Sequence, residues 1–298
     1  MFLIVLSLLL QAPAAPPAFS SRSEIVVLHV SVGDRRAGLV SGLPRDAFAI
    51  FEDGRPQAIA FFDSEDTPVT VGLVIDSSGS MSTRRDAVIA AGMAFAESSH
   101  PADELFTVNF NEHVWPGLPP NQPFTSDHAE LRTALDRSTA RGQTALFDGI
   151  SNAMRHLDRG SKPRKVLIVV SDGGDNASST RFENVLNDAL RQDVVIYTIG
   201  IFDADSGDAK PGVLRKLADA TGGEAFFPDR PGQITPIFER IARDIRSSYA
   251  IGYVPPSTAR DVAHQVRVEV RPSDGRKLSV RTRSAYMTPT QHRSHGHK

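Results

Sequence analysis

The sequence predicts an α/β fold: a doubly wound, mostly parallel sheet flanked by helices, with a small accessory β-sandwich formed by the two flanking segments. Two observations carry this prediction. Between residues 68 and 247, short apolar runs alternate with amphipathic helical patterns, which favours parallel strands joined by crossover helices. On both sides of this stretch, short runs alternate apolar and polar residues between turn signals, the pattern of antiparallel strands with one solvated face.

The composition is that of a folded protein able to bury a large core. Of 298 residues, 40% are hydrophobic and 23% are charged, which suggests one large domain with accessories. A net charge of −2 with scattered basic residues gives no reason to expect a nucleic-acid partner. The absence of cysteine excludes disulfides, thiol catalysis and cysteine-based zinc sites.

Residues 1–20 are predicted to be a signal peptide. Met1–Leu10 is an apolar block, and the small and proline-rich residues 12–18 follow it. The block lacks the basic residues that usually precede such a run, so another role for this segment stays open. We expect an exported protein, periplasmic or secreted, without a stable membrane span, because a spanning helix needs about 20 apolar residues.

Residues 21–67 are predicted to form an N-terminal β segment. Asp53 and Gly54 separate two strand-like runs, and an Asp-Gly pair in this position is a strong hairpin signal. The predicted strands cover residues 24–32, 47–52 and 57–62.

The central domain, residues 68–247, contains the alternating strands and helices. The predicted strands are 69–75, 104–110, 165–171, 193–200 and 224–227; the predicted helices are 82–98, 127–138, 146–158, 181–191, 211–220 and 233–247. The last helix carries isoleucines and a phenylalanine at helical spacing, so we expect it to pack on the core.

Residues 248–288 are predicted to form a C-terminal β segment. Its runs at 248–254, 264–270 and 278–283 make a thin unit alone. We therefore expect them to pair with the N-terminal strands in one sandwich, into which the central domain is inserted. Residues 289–298 are predicted to be a disordered tail.

The most informative motif ends the first strand of the central domain. The apolar run from Val71 leads into Asp76, and Ser78 and Ser80 follow at alternate positions. Three oxygen-bearing side chains can thus converge on one hard cation at the carboxyl end of this strand.

Two later segments add to this set of oxygen ligands. Thr144 precedes a predicted helix, and Asp172 ends the second buried strand. Ligands of open α/β sheets bind at the carboxyl ends of the strands, so these residues are predicted to meet Asp76 in one site. The alternative is that Asp76, Ser78 and Ser80 only cap the helix that begins near Met81, and that Thr144 caps the helix that contains Phe147.

This constellation resembles the von Willebrand factor A domain and its metal-ion-dependent adhesion site, in which Asp-x-Ser-x-Ser, a distant Thr and a distant Asp recur in this order. The resemblance covers about residues 68–246 and implies a Rossmann-like fold. The metal ligands that it implies are Asp76, Ser78, Ser80, Thr144 and Asp172. It also implies Mg²⁺, or Mn²⁺ or Ca²⁺, and a protein partner whose Asp or Glu carboxylate completes the coordination.

The N-terminal segment resembles the corresponding part of bacterial "VWFA-related" proteins. The short motifs on which this resemblance rests are Gly42-Leu43, Asp46-Ala47-Phe48 and Glu52-Asp53-Gly54.

Three functions remain compatible with the sequence. The favoured one is an exported binding module, for adhesion or scaffolding, that captures an acidic side chain through the metal. The others are a metal-dependent hydrolase and a structural spacer. The chain contains no nucleophile elbow, no His-Glu-x-x-His and no phosphate-binding loop, so we expect no enzyme.

Trp115 falls in a predicted loop, residues 111–123, where it either contacts a partner or packs beneath its own loop. Asn109 and Asn111 are candidates for hydrogen bonds that support the metal ligands.

Overall fold

The computed structural model describes residues 25–34, 38–137, 140–202, 210–256 and 262–287. The predicted signal peptide and the predicted tail lie outside these residues. The strands are β1 (Val26–Asp34), β2 (Gly38–Leu39), β3 (Phe48–Glu52), β4 (Arg55–Gln57), β5 (Ile59–Asp63), β6 (Val69–Asp76), β7 (Glu104–Phe110), β8 (Val114–Pro116), β9 (Arg164–Ser171), β10 (Val194–Gly200), β11 (Ala225–Phe226), β12 (Tyr249–Tyr253), β13 (Ala263–Val270), β14 (Ser279–Arg281) and β15 (Ala285–Met287). The α-helices are α1 (Arg85–Ser98), α2 (His128–Asp136), α3 (Leu146–Leu157), α4 (Phe182–Arg191), α5 (Pro211–Thr221) and α6 (Ile234–Ser247).

The central sheet has the strand order β11-β10-β9-β6-β7-β8, and all its pairs are parallel except β7 with β8. Its two faces carry separate apolar clusters: α1 and α6 pack on one face, and α3, α4 and α5 on the other. Because both faces are covered, all eight residues of β6 are buried. This confirms the predicted fold class.

The flanking segments pair with each other in two antiparallel sheets. One has the order β14-β1-β12-β5, with β2 beside β1, and the other has the order β15-β13-β3-β4. Leu28 pairs with Ile251 in the first sheet, Ile50 pairs with Val268 in the second, and all four side chains are buried. Residues more than 200 positions apart in the chain thus form one sandwich core.

The Asp-Gly hairpin forms as predicted between β3 and β4. Asp53 and Gly54 both have positive φ, at +48° and +79°, as a tight turn matching the strand twist requires. The strand predicted over 57–62, however, is two strands: Gln57 pairs with Ile50, whereas Ile59 pairs with Tyr253 in the other sheet. The chain changes sheets at this corner of the sandwich.

Trp115 lies in β8, not in a loop, and this prediction was wrong. It pairs with Asn109 and is half-buried at the edge of the central sheet. A three-residue strand beside three prolines carries too little periodicity to be recognised from sequence.

Ionic contacts join the sandwich to the central domain. Arg281 of β14 contacts the buried Asp244 of α6 and pairs with Glu224 at 2.7 Å. Arg164 donates to the carbonyl oxygen of Ile245 at 2.6 Å, next to the point where α6 runs into β12.

Across the described ranges, no helix has the length and the apolar character needed to cross a membrane.

Candidate metal centre

Asp76 is the last residue of β6 and is only 2% exposed. Its carboxylate accepts a hydrogen bond from the Ser78 N–H at 2.8 Å and another from the Ser171 hydroxyl at 2.6 Å. Both donors are neutral, so these contacts solvate the charge of Asp76 without cancelling it.

Asp172 follows β9, the neighbour of β6, and is 6% exposed. The N–H of Gly174 donates to its Oδ1 at 2.9 Å, and the Ser80 hydroxyl donates to its Oδ2 at 2.9 Å. Ser80 Oγ lies 3.1 Å from Ser78 Oγ. A chain of hydroxyl groups therefore connects Asp172 to the loop that follows Asp76.

Thr144 lies in the loop before α3 and is held by the loop that follows Asp172. Its N–H donates to Asn176 Oδ1 at 2.9 Å, and its carbonyl oxygen accepts from the N–H groups of Asn176 and Ala177 at 3.0 and 3.1 Å. These backbone contacts place Thr144 beside Asp172, although the two are distant in sequence.

The structure brings the five predicted residues to one edge of the sheet. Ser78, Ser80, Thr144 and Asp172 line one cleft of about 270 Å³, and Asp76 lies beneath it, bonded to the Ser78 backbone. The convergence follows from topology, because β6 and β9 are adjacent parallel strands and their carboxyl ends share an edge.

The capping alternative has no support from the helix termini. Ser78 makes no side-chain cap to the 3₁₀ turn Gly79–Met81, and α1 begins only at Arg85. The N-cap position of α3 is Ala145, not Thr144. The hydroxyl groups of Ser78 and Thr144 are therefore not used as helix caps.

The electrostatics of the cleft favour a cation. Burial raises the pKa of Asp76 to about 6, and the neighbouring charge of Asp172 adds a smaller increase, while hydrogen bonds from Ser171 and Ser78 lower it. Within the described part of the chain, no Lys or Arg side chain forms an ion pair with either carboxylate. Two carboxylates and three hydroxyls form an all-oxygen donor set, which fits a hard divalent cation.

Several residues that hold this site were not recognised from the sequence. Ser171 is the last residue of β9, after its apolar run, and the one feature of the sequence that could have indicated it is its position before Asp172. Glu112 accepts the Gln143 N–H at 2.9 Å. Gly142 has a φ of +79°, and a Cβ there would lie 1.7 Å from Glu112 Oε2, so the Thr144 loop passes close against that carboxylate.

The two asparagines proposed as supports behave differently. The side-chain amide of Asn111 donates to the carbonyl oxygen of Arg141 at 3.1 Å, and the backbone carbonyl oxygen of Asn111 accepts the Ala145 N–H at 2.7 Å. Asn111 therefore holds both ends of the Thr144 loop. Asn109 instead lies buried against α2, where its amide donates to the Ala134 carbonyl at 3.4 Å.

Lys210 also borders the cleft. Its N–H donates to the carbonyl oxygen of Asp172 at 3.2 Å, which fixes its backbone beside the site. The residue is exposed, and among the described residues its ammonium group has no ion-pair partner.

The sequence matches the family model of the von Willebrand factor type A domain over residues 70–240, and the chain belongs to this family. An uncharacterised protein of Synechocystis sp. is 23% identical over 180 residues, or 58% of this chain and 41% of that protein. The chain thus matches about two fifths of the length of this curated relative.

Solved structures share the fold at low identity. A von Willebrand factor type A protein from Catenulispora acidiphila superposes with a TM-score of 0.55 and 17% identity, covering 90% of this chain and 75% of that one. The von Willebrand factor domain of the type V pilus tip protein Mfa5 from Porphyromonas gingivalis gives 0.52 and 16% identity, covering 60% and 95%. Proximal thread matrix protein 1 from the mussel byssus, with a zinc-occupied adhesion-site motif, gives 0.52 and 19%, covering 64% and 48%.

Proposed function

We propose that this protein is an exported, divalent-metal-dependent binding module that captures an Asp or Glu side chain of a protein partner. The observation that carries the proposal is the pair of nearly buried carboxylates, Asp76 and Asp172, whose hydrogen-bond donors among the described residues are all neutral. Such a pair is costly without a counter-charge, and a divalent cation provides it.

The proposed ligands are of two kinds, neutral hydroxyl groups and negatively charged carboxylates. The hydroxyls of Ser78, Ser80 and Thr144 would hold the ion with neutral oxygens, and Asp76 and Asp172 would balance its two charges. When bound, the ion supplies an electrophilic centre that accepts a carboxylate oxygen from outside the chain. The cleft that these residues line is partly open to solvent, which would give a partner side chain access to the ion.

We propose Mg²⁺ as the ion, with Mn²⁺ or Ca²⁺ as alternatives, because all five donors are hard oxygen ligands. The zinc in the adhesion-site motif of the mussel byssus protein supports a divalent ion in this motif. Adhesion or scaffolding is the proposed outcome, and the pilus tip protein of P. gingivalis is a structural relative with a tip location.

Binding is proposed in preference to hydrolysis. Among the described contacts, no histidine hydrogen-bonds to the hydroxyl of Ser78 or Ser80, and Ser80 directs its hydroxyl proton to Asp172. Neither serine therefore has, among the described contacts, the histidine partner that activates a serine nucleophile. Export is proposed from the apolar block Met1–Leu10.

Isothermal titration calorimetry with Mg²⁺, Mn²⁺ and Ca²⁺ tests the proposal. We expect saturable one-to-one binding that Asp172→Ala abolishes. The matched control is Asp219→Ala, which removes an exposed carboxylate on α5 and changes the net charge equally. Binding retained in Asp172→Ala would contradict the proposed ligand set.

A second measurement tests the partner class. Metal-loaded protein is mixed with immobilised peptides that differ only in one Asp, Asn or Ala residue. We expect capture of the Asp peptide alone, and its release by EDTA. Equal capture of all three peptides would contradict an adhesion-site mechanism.

A further inference from the structure

A second and larger cleft lies at the opposite end of the parallel sheet from the metal centre. It has a volume of about 1370 Å³ and separates the C-terminal half of α6 from strands β1, β2 and β14 of the sandwich. We call it the arginine cleft, after Arg240, Arg243 and Arg246 of α6 and Arg281 of β14, which line it. Asp66 lines the arginine cleft and precedes β6, so the cleft lies near the amino ends of the parallel strands.

Most of the charges in the arginine cleft are already paired. Glu224 contacts Arg240 at 2.6 Å and Arg281 at 2.7 Å. Asp66 contacts Arg246 at 2.7 Å. These arginines therefore have counter-charges within the chain, and their main effect is structural.

Arg243 is different from the other three arginines. It is exposed, it lies one helical turn from both Arg240 and Arg246, and in the described parts of the chain its guanidinium group has no ion-pair or hydrogen-bond partner. The walls around it also carry hydroxyl groups, from Ser31, Ser41, Ser64 and Ser98. Asp34, the third carboxylate that lines the cleft, lies 3.7 Å from Arg276. The cleft thus offers one arginine without a partner among the described residues, beside hydroxyl groups and carboxylates that already contact other arginines.

We propose that the arginine cleft binds an acidic polypeptide segment, with Arg243 as the residue that anchors a carboxylate. A guanidinium group binds a carboxylate through two parallel hydrogen bonds. The cleft exceeds the roughly 300–1,000 Å³ typical of small-molecule pockets. Arg240 to Arg246 spans about 9 Å along α6, about the length of three residues of an extended chain. Serine hydroxyls complement the amide groups of such a chain.

Fluorescence anisotropy with a labelled octaglutamate peptide tests this site. The assay contains EDTA, so that any ion at the metal centre is removed and binding reports the arginine cleft alone. Because the assay is metal-free, its result is independent of the proposed metal-dependent function. We expect saturable binding that Arg243→Glu weakens at least tenfold and that Arg243→Gln weakens less.

The control is Arg132→Glu, on the exposed face of α2, which changes the net charge by the same amount away from the cleft. We expect it to change the affinity by less than twofold. Both residues are exposed, and circular dichroism verifies that both variants are folded. Equal weakening by the two variants, or no saturable binding of octaglutamate by the native chain, would overturn the proposal. Saturable binding of inorganic polyphosphate without binding of octaglutamate would overturn the assignment to a peptide.

Discussion

The candidate metal centre and the arginine cleft lie at opposite ends of the central sheet, and their carboxylates contact different kinds of groups. In the arginine cleft, Glu224 and Asp66 each contact an arginine within 2.7 Å. At the candidate metal centre, the donors that reach Asp76 and Asp172 from the described residues are serine hydroxyls and backbone N–H groups.

This difference indicates that the paired charges of the arginine cleft stabilise the fold, whereas the carboxylates of the candidate metal centre are available to a ligand. The charge of a carboxylate paired with an arginine is compensated within the chain, and removal of the arginine lowers the stability of the fold. Burial without a counter-charge raises the pKa of Asp76, and a cation bound from solution would compensate its charge. The contrast predicts that mutations at the two ends will affect different measurements.

The largest expected effect is on metal binding by Asp76→Asn. The amide keeps the size and an acceptor for the Ser78 N–H but removes a charge, so Mg²⁺ affinity should fall by a factor of at least about 100. The metal-free protein should lose no stability, since a desolvated charge is removed. Thermal unfolding in EDTA and in Mg²⁺ measures both effects; a destabilised variant in EDTA would show that the charge of Asp76 is compensated within the fold.

Arg281→Met should lower the stability of the protein and leave its Mg²⁺ affinity unchanged, the opposite of the result expected for Asp76→Asn. It leaves Asp244, which is 3% exposed, without its cationic partner, and breaking a buried pair costs about 3 kcal/mol. Mg²⁺ affinity should not change, because the residue is at the other end of the sheet. Urea unfolding and calorimetry measure the two quantities, and the control Arg276→Met removes only an exposed arginine. Equal stability of the two variants would contradict a structural role for Arg281.

Gly142→Ala tests how tightly the Thr144 loop is held. The new Cβ meets Glu112 Oε2 and the residue has positive φ, so we expect a loss of about 2 kcal/mol and weaker Mg²⁺ binding. Gly275→Ala is the control, since Gly275 also has positive φ, at +70°, but has no atom within 4 Å of a Cβ. Its expected cost is about 1 kcal/mol. In a Glu112→Ala background, which lacks the clashing carboxylate, Gly142→Ala should cost only about 1 kcal/mol. An unchanged cost of about 2 kcal/mol in that background would exclude the clash as the cause of the difference.

Lys210→Glu should give the smallest effect. Reversing this exposed charge beside Asp172 should raise Mg²⁺ affinity by a factor of about 2–5, and salt should reduce the gain. Lys277→Glu on the sandwich carries the same charge change and should leave the affinity unaltered. Titrations at two salt concentrations measure the difference. If both variants gained equally, the effect would come from net charge and not from the position of Lys210.

The sequence predicted those features whose signal is local. Strand β7 runs from Glu104 to Phe110 as predicted, because a short run rich in β-branched and aromatic residues between turn residues favours a strand. The six predicted helices are all present, with α1 beginning three residues later because a 3₁₀ turn precedes it. The Asp53-Gly54 turn also formed as expected, since positive φ at both residues is a property of the dipeptide itself.

The sequence predicted that the two flanking segments pair and that Asp76, Thr144 and Asp172 meet, but it did not predict the individual contacts between distant segments. The division of 57–62 between two sheets depends on which partner strand each residue meets, and that choice is made by packing. Ser171, Asn176 and Glu112 hold metal-site residues only because loops far apart in the chain meet at one edge.

By itself, then, the sequence determined the alternation of strands and helices, the order of the motifs and the chemical type of each candidate ligand. The tertiary structure alone decided which charges have partners: Arg281 meets Asp244 and Glu224, whereas Asp76, Asp172, Lys210 and Arg243 have no counter-charge among the described residues. The physical reason is the distance along the chain over which each interaction acts. Hydrophobic periodicity and turn chemistry act over a few residues, but charge compensation depends on distances that only the folded chain sets.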